Sequence, residues 1–285
     1  MKCFFHSADL DGHCSGAIVK HKHPECEMIA INYGQEFPWD SIIPGETVYM
    51  VDFTLQPFEQ MERLAKTCEL VWIDHHKTEI EESERLNFHP PGIRRMGVGA
   101  CALVWENLHP FTPVPEAVRL LAEYDVWNHT DPRTLPFQYG FRFFEDTSPD
   151  HQELWQPFFG SMSSQKVEEV CTTGNILLVY EERQNAKICR AFAFETILVT
   201  PFGDFRAICC NRGFTNSKLF DSVYDPEAHE VMITFCRLKP PAHMWKVSLY
   251  SARDDVDCGA IAKVWGGGGH KGAAGFQCKN LPFEF

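Results

Sequence analysis

Over residues 1–130, short unbroken apolar runs alternate with stretches of helical periodicity, the pattern of a parallel α/β sheet. Residues 2–6 read as a first strand, 12–21 as a helix and 28–32 as a second strand. A third strand spans 48–52, a helix opened by Pro57 spans 57–66, and a fourth strand spans 70–74. Helices follow at 98–108, where Gly97, Gly99, Ala100 and Ala102 allow close approach to a neighbour, and at 116–127. Binding residues of such a sheet gather at the C-terminal ends of its strands.

Residues 131–187 differ in character. Pro132, Pro136, Pro149 and Pro157 punctuate helical pieces, and 166–187 has the apolar spacing of a helix despite Gly174. Strand-like segments at 196–200, 205–210, 230–235 and 245–251 then surround helices near Lys218 and Ala260. The expected organisation is a two-domain α/β chain: a parallel-sheet domain with a helical arm (1–187, arm about 131–187) and a smaller α/β domain (188–285), with a site in the cleft between them.

Composition narrows the choices. Apolar residues make up 44% of the 285 residues and charged ones 23%, as in ordinary globular cores. No secretory pattern opens the chain and no apolar run approaches the roughly 18 residues that span a bilayer. A soluble cytoplasmic protein is expected, without a membrane partner. The net charge of −13 disfavours a track for long nucleic acid, which calls for a basic face. A phosphorylated substrate would be short and captured by metals and a few placed cations. None of the twelve cysteines forms a Cys-x-x-Cys pair, so reduced, buried thiols are expected rather than disulfides, zinc ligation or redox chemistry.

Candidate chemistry collects where strands end. His6, Asp9 and Asp11 follow the first strand, Asp52 closes the third, Asp74, His75 and His76 follow the fourth, and Asp125 lies in Tyr124-Asp125-Val126-Trp127. One strand-end aspartate is ordinarily a cap or turn former. Recurrence at three strand ends, with histidines at two, points to a divalent-metal centre, since mixed carboxylate and imidazole ligation suits Mn²⁺, Mg²⁺, Zn²⁺ or Fe²⁺. The four glycines before His270 and Lys271 have two readings, a flexible loop or a bare backbone that approaches an anion. His21 and His23 fit a helix end, Glu79–Glu84 a solvated face, Phe141, Phe143 and Phe144 helix packing, and Trp127 packing that positions Asp125.

Five motifs in order carry a family resemblance: His-x-x-Asp-x-Asp-Gly at 6–12, Val-Asp at 51–52, Asp-His-His at 74–76, Tyr-Asp-x-Trp at 124–127 and Gly-Gly-Gly-Gly-His at 266–270. The pattern resembles the DHH phosphoesterase superfamily with a C-terminal DHHA1 domain, nearest to the nano-RNases (oligoribonucleases). The resemblance implies two divalent ions, Mn²⁺ foremost, with Mg²⁺ or Co²⁺ as alternatives. It implies His6, Asp9 and Asp52 on one ion and Asp11, Asp52, His75 and Asp125 on the other, Asp52 bridging. Asp74 would orient an imidazole as carboxylates commonly do for ligand histidines, and His76 would face the scissile phosphate. His270 would contact the substrate, flanked by Gly267, Gly268 and Gly269 and helped by Tyr250, Ser251 and Arg253; a solvated surface role for Arg253 weighs equally.

The implied activity is two-metal hydrolysis of short oligonucleotides to mononucleotides. Alternatives within the family are cyclic or linear dinucleotide phosphodiesterase and phosphoadenosine-phosphate phosphatase. A nucleotide-binding protein without catalysis is the alternative outside it, though every proposed metal position carries a competent ligand. The expected partners are a short oligonucleotide or dinucleotide, with the chain a monomer or homodimer.

Overall fold

Cover on both faces of the first sheet explains its unbroken apolar strands. In the computed structural model, which describes residues 1–160 and 163–284, β1 (Lys2–His6), β2 (Glu27–Ile31), β3 (Thr47–Val51) and β4 (Glu69–Ile73) form a parallel sheet in the order β2-β1-β3-β4. The helices of this part are α1 (Leu10–Lys22), α2 (Glu59–Thr67), α3 (Lys77–Leu86), α4 (Ala100–Leu108) and α5 (Glu116–Asp125). Successive strand residues point to opposite faces. Cys3, Phe5, Tyr49, Val51 and Ile73 enter one core with residues of α1, α4 and α5, whereas Phe4, Val48, Met50, Leu70 and Trp72 enter another with Met61 and Leu64 of α2.

Three further helices, α6 (Thr134–Phe141), α7 (Gln152–Phe159) and α8 (Ser163–Phe192), make up the arm. Phe137, Phe141, Trp155, Phe158 and Val167 join the first core, so the packing reading of Phe141 holds; Phe143 is 69% exposed. A Cβ on Gly174 would lie 1.7 Å from the Pro136 carbonyl oxygen. That backbone-to-backbone crossing of α8 over α6 is why a glycine sits inside a helix. Helix α8 extends beyond the expected 166–187 at both ends, and the division of the chain into units Met1–Leu178 and Val179–Phe285 falls within it.

The second unit carries β5 (Ala193–Thr200), β6 (Gly203–Asn211), β7 (Val231–Arg237), β8 (Trp245–Tyr250), α9 (Cys258–Lys263), β9 (Gly268–Gly269) and β10 (Ala273–Cys278). Its sheet runs β5-β6-β7-β8-β10-β9, with β6 and β7 parallel and the other neighbours antiparallel. Ile233, Phe235, Val247 and Leu249 pack with Ile261 of α9, while Ile208, Cys210 and Met232 pack with Cys189, Leu219 and Phe220.

All twelve cysteines are free thiols, and all but Cys236 are buried. Burial pushes the Cys258 thiol up to about 12, which leaves it protonated and unreactive at neutral pH. Among the described residues, no helix is long and apolar enough to cross a membrane.

Candidate metal centre

The chain order reverses beside β1, with β2 on one side of it and β3 on the other. The crevice at such a switch point, outside the carboxyl ends of the strands, is where open α/β sheets bind ligands. Here the segments after β1, β3 and β4 and the end of α5 converge.

Asp9 caps α1, its Oδ1 accepting the Gly12 N–H at 3.0 Å, which leaves Oδ2 facing His6 Nδ1 at 3.3 Å. A Cβ on Gly12 would meet the His6 carbonyl oxygen at 2.0 Å, so only glycine lets the helix start this close to the strand end. Asp11 is buried and accepts from the first N–H groups of α4, Ala100 N to Oδ2 at 2.6 Å and Cys101 N to Oδ1 at 2.9 Å. A helix N-terminus favours an anion there.

Asp52 takes a left-handed backbone conformation, φ +55°, which aspartate tolerates better than most residues. Its N–H donates to Ile73 O at 3.0 Å. This turn places Oδ2 3.5 Å from His6 Nδ1 and Oδ1 3.3 Å from His75 Nε2. His75 Nε2 also lies 3.2 Å from Asp125 Oδ2 and 3.9 Å from Asp11 Oδ2. Three groups therefore form, His6/Asp9/Asp52, Asp11/His75/Asp125 and Asp52/His75/His76, each with ligand atoms within 4.8 Å of one another.

The donors suit a cation. His6 Nδ1 and Asp52 Oδ1 are shut off from solvent and make no hydrogen bond of good geometry among the described residues, although each faces a carboxylate oxygen or an imidazole nitrogen at 3.3 Å. Lone pairs that crowd together without bonding each other are placed for a shared ion, and buried orphans of this kind are otherwise costly. Without a cation the site competes for protons instead. Burial alone would lower His6 and His75, but the carboxylates around them override it and raise both to about 10. Burial, aided by the charge of Asp52 beside Asp11 and of Asp11 beside Asp125, raises Asp11 and Asp125 to about 7.

Asp74 is completely buried and accepts five hydrogen bonds. Thr54 Oγ1 (2.6 Å) and Trp72 Nε1 (3.2 Å) donate to Oδ2. The backbone N–H groups of His75 (2.7 Å) and His76 (3.1 Å) and the His76 ring nitrogen Nδ1 (2.7 Å) converge on Oδ1. Burial would raise this carboxyl, yet its partners hold it well below the usual range. The ring it orients is that of His76; it reaches His75 only through the backbone, because the tight turn after β4 folds the second histidine, not the first, back over the carboxylate.

Sequence reasoning missed three supporting groups. Thr54 and Trp72 complete the cage around Asp74, and Asn32 Oδ1 lies 3.3 Å from His6 Nε2. Each had a signal: Thr54 stands two residues after Asp52, Trp72 two before Asp74, and Asn32 ends the second predicted strand. Trp127 packs locally at the surface rather than in a core. Helix α5 ends at Asp125, and Trp127 follows at φ +55°, half exposed, against the rings of Tyr124 and His129. His21 and His23 pack against Phe159 and Tyr49 at the end of α1.

The expected substrate-binding residues all belong to the second unit. The Tyr250 hydroxyl donates to Thr215 O at 3.2 Å and the Ser251 hydroxyl to Glu230 O at 2.7 Å. Arg253 forks onto both oxygens of Asp255, at 2.9 and 2.7 Å. The glycines are not a loose loop. Gly267 N donates to Ala262 O at the end of α9, Gly268 and Gly269 pair with β10, and His270 N donates to Ala273 O at 2.8 Å across the hairpin turn.

No family model matches the chain. Uncharacterized protein R106 of Acanthamoeba polyphaga mimivirus is 26% identical over 259 residues, covering 85% of this chain and 56% of that protein. The chain thus spans little more than half the length of that curated relative. Solved structures with the same fold include the DHH domain of a protein assigned to a family of ribosomal proteins (15% identity, TM-score 0.54, 97% of this chain and 82% of that one). They also include an exopolyphosphatase-related protein from Bacteroides fragilis (12%, 0.52, 98% and 87%) and the pGpG-specific phosphodiesterase PggH from Vibrio cholerae (14%, 0.51, 97% and 92%). At these identities the likeness establishes a shared fold, a two-domain α/β architecture.

Proposed function

We propose that the chain is a DHH-type phosphoesterase, a metal-dependent hydrolase that cleaves short oligonucleotides or dinucleotides to mononucleotides. The observation that carries this reading is the division of the Asp52 carboxylate between two histidine-carboxylate groups, one oxygen facing His6 and Asp9, the other His75 with Asp11 and Asp125. Two divalent cations, Mn²⁺ foremost with Mg²⁺ or Co²⁺ as alternatives, would be held by these residues and would neutralise charge on the phosphoryl oxygens and activate the attacking water.

The chain's own contributions follow from its geometry. Asp52 bridges the two groups, and α4 anchors Asp11 so that its remaining lone pairs face inward. Asp74 fixes the ring of His76, which is assigned to the scissile phosphate. Water adds to phosphorus, the ester P–O bond breaks, and a proton passes to the departing oxygen, leaving a phosphomonoester and an alcohol. His270 of the second unit would hold the far end of the substrate, in a cytoplasmic monomer or homodimer. Tyr250, Ser251 and Arg253 would act there only by exchanging their present partners.

A linear dinucleotide is a specific variant of this reading, since a protein of the same fold is described as specific for pGpG. The test is Mn²⁺-dependent hydrolysis by wild type and His75→Ala, scanned over RNA and DNA two- to eight-mers, linear and cyclic dinucleotides, and phosphoadenosine phosphate. Turnover of short linear oligomers that disappears in His75→Ala is expected. A sharp preference for cyclic dinucleotides or the bisphosphate would overturn the substrate assignment, and inertness toward every phosphate ester would overturn the enzyme.

A further inference from the structure

Two large rings border the metal centre at the carboxyl edge of the first sheet. Tyr33 follows β2 and is 44% exposed; Trp127 follows α5 and is 50% exposed. Tyr33 packs 4.7 Å from Phe53, which belongs to the core on the α2 side of the sheet. Helix α5 instead contributes Val118, Leu120 and Leu121 to the core on the α1 and α4 side. The rings are thus mounted from opposite faces of the sheet. A run of close approaches joins them, from Tyr33 to His6 and then through Asp52 and His75 to Asp125, two residues before Trp127.

Each ring is held in place without being buried. Asn32 Oδ1 accepts the Tyr33 N–H at 2.8 Å and lies 3.3 Å from His6 Nε2. The Tyr33 ring stands edge-on to His6 with centroids 5.6 Å apart, and its hydroxyl accepts a hydrogen bond from the Thr54 backbone N–H. Trp127 is fixed by a turn in which its N–H donates to Tyr124 O at 3.0 Å, with the rings of Tyr124 and His129 at 5.5 and 4.4 Å. Its φ of +55° is unfavourable for so bulky a residue. Burial in a core does not offset that strain, and strain held in this way gathers at functional sites.

An exposed aromatic face binds a planar ring by stacking, which needs no charge. That suits a chain of net charge −13 whose crevice is lined by carboxylates, where only bound cations would attract a phosphate. A polyphosphate would leave both rings idle, and a nucleoside bisphosphate would occupy one. A phosphodiester with a base on each side occupies both.

We infer that Tyr33 and Trp127 are stacking platforms for the two nucleobases that flank the cleaved phosphodiester, Tyr33 on the side of His6 and Trp127 on the side of Asp125. The inference rests on the phosphoesterase reading for the reaction, while its binding readout needs no turnover. It narrows the substrate class to linear phosphodiesters that carry a base on both sides.

The test measures equilibrium binding to the Mn²⁺-loaded full chain of a non-cleavable diadenylate, in which methylene replaces the leaving oxygen, and of two analogues that each lack one base. Hydrolysis of the cleavable forms is followed in parallel. Wild type should bind the two-base compound more tightly than either analogue by roughly five- to a hundredfold, the range of one base stacked on an aromatic side chain. Tyr33→Leu and Trp127→Leu should each lose a factor of that size on the two-base compound. Each should lose far less on one of the analogues, and that analogue should differ between the two variants. Tyr33→Phe and Trp127→Phe, which keep a ring, should retain most of the affinity. Equal losses on all three compounds would reveal a merely structural role and overturn the platforms. So would a wild type that binds the one-base analogues as tightly as the diadenylate, a comparison that stands even if the leucine variants fail to fold. Base-dependent binding in a protein that hydrolyses no phosphate ester supports the platforms and overturns the proposed activity, whereas hydrolysis without base dependence overturns the platforms alone.

Discussion

Asp52 and His75 meet through one carboxylate oxygen only: Oδ1 lies 3.3 Å from His75 Nε2, while Oδ2 turns away toward His6 Nδ1 at 3.5 Å. A carboxylate that merely paired with a histidine would have no reason to split its oxygens between two imidazoles, nor to hold a left-handed backbone to do so. The division fits a ligand shared between two ions. Asp52→Asn should therefore abolish turnover and loosen metal at both positions, while Asp125→Asn loosens one. Metal content after dialysis distinguishes the two outcomes; equal retention in Asp52→Asn and wild type would remove the bridge.

The Asp74 cage acts at one remove. Replacing a partner that orients a histidine near a metal typically costs ~10–100-fold in affinity or activity, and Asp74→Asn should fall in that range even though the residue is not assigned to either ion. Thr54→Val removes one of the five bonds to a buried charge and should destabilise by about 1.5–3 kcal/mol. Denaturant melts of metal-free protein read the second effect, and steady-state kinetics the first. A Thr54→Val variant as stable as wild type would show that Asp74 does not need that hydroxyl.

Acidity has a definite sign here. His6 and His75, ordinarily near 6.5, are raised to about 10, and Asp11 and Asp125, ordinarily near 3.8, to about 7. The folded metal-free chain thus binds more protons than the unfolded one, and stability falls with rising pH wherever that holds. Asp9 and Asp74 are shifted down, so they are ionised in both states above about pH 5 and do not alter the slope there. Between about pH 5 and 9 the metal-free melting temperature should fall, and the gain from added Mn²⁺ should grow as protons cease to compete. A metal-free melting temperature that rises across this range would contradict the proton-loaded centre.

Gly12 is where packing and chemistry meet. With its Cβ 2.0 Å from the His6 carbonyl oxygen, alanine would push α1 off the end of β1 and carry Asp9 and Asp11 with it. Overpacking of this kind costs about 1–3 kcal/mol, so Gly12→Ala should fold with a lowered melting temperature and weakened metal binding. Wild-type metal affinity in that variant would show that α1 tolerates the shift.

Much of the first sheet and its candidate ligands was legible because three of its strands hold an apolar run followed closely by charged or imidazole residues: 3–5 then His6, Asp9 and Asp11, 48–51 then Asp52, 70–73 then Asp74. Period and punctuation coincide there. What was not legible depends on the path of the backbone. Whether Asp74 serves His75 or His76 is decided by a turn, and the end of α5 at Asp125 by a left-handed residue two positions on. The glycines 267–269 looked free because nothing in their own sequence names Ala262 or β10 as their partners.

A pair of cations sharing the Asp52 carboxylate, as proposed, would have a direct spectroscopic signature. Mn²⁺-loaded wild type should take up two ions per chain and give the broadened spectrum of an exchange-coupled pair by electron paramagnetic resonance, and Asp52→Asn should lose that coupling. One ion per chain with the six-line signal of isolated Mn²⁺ in wild type would contradict a centre bridged by Asp52.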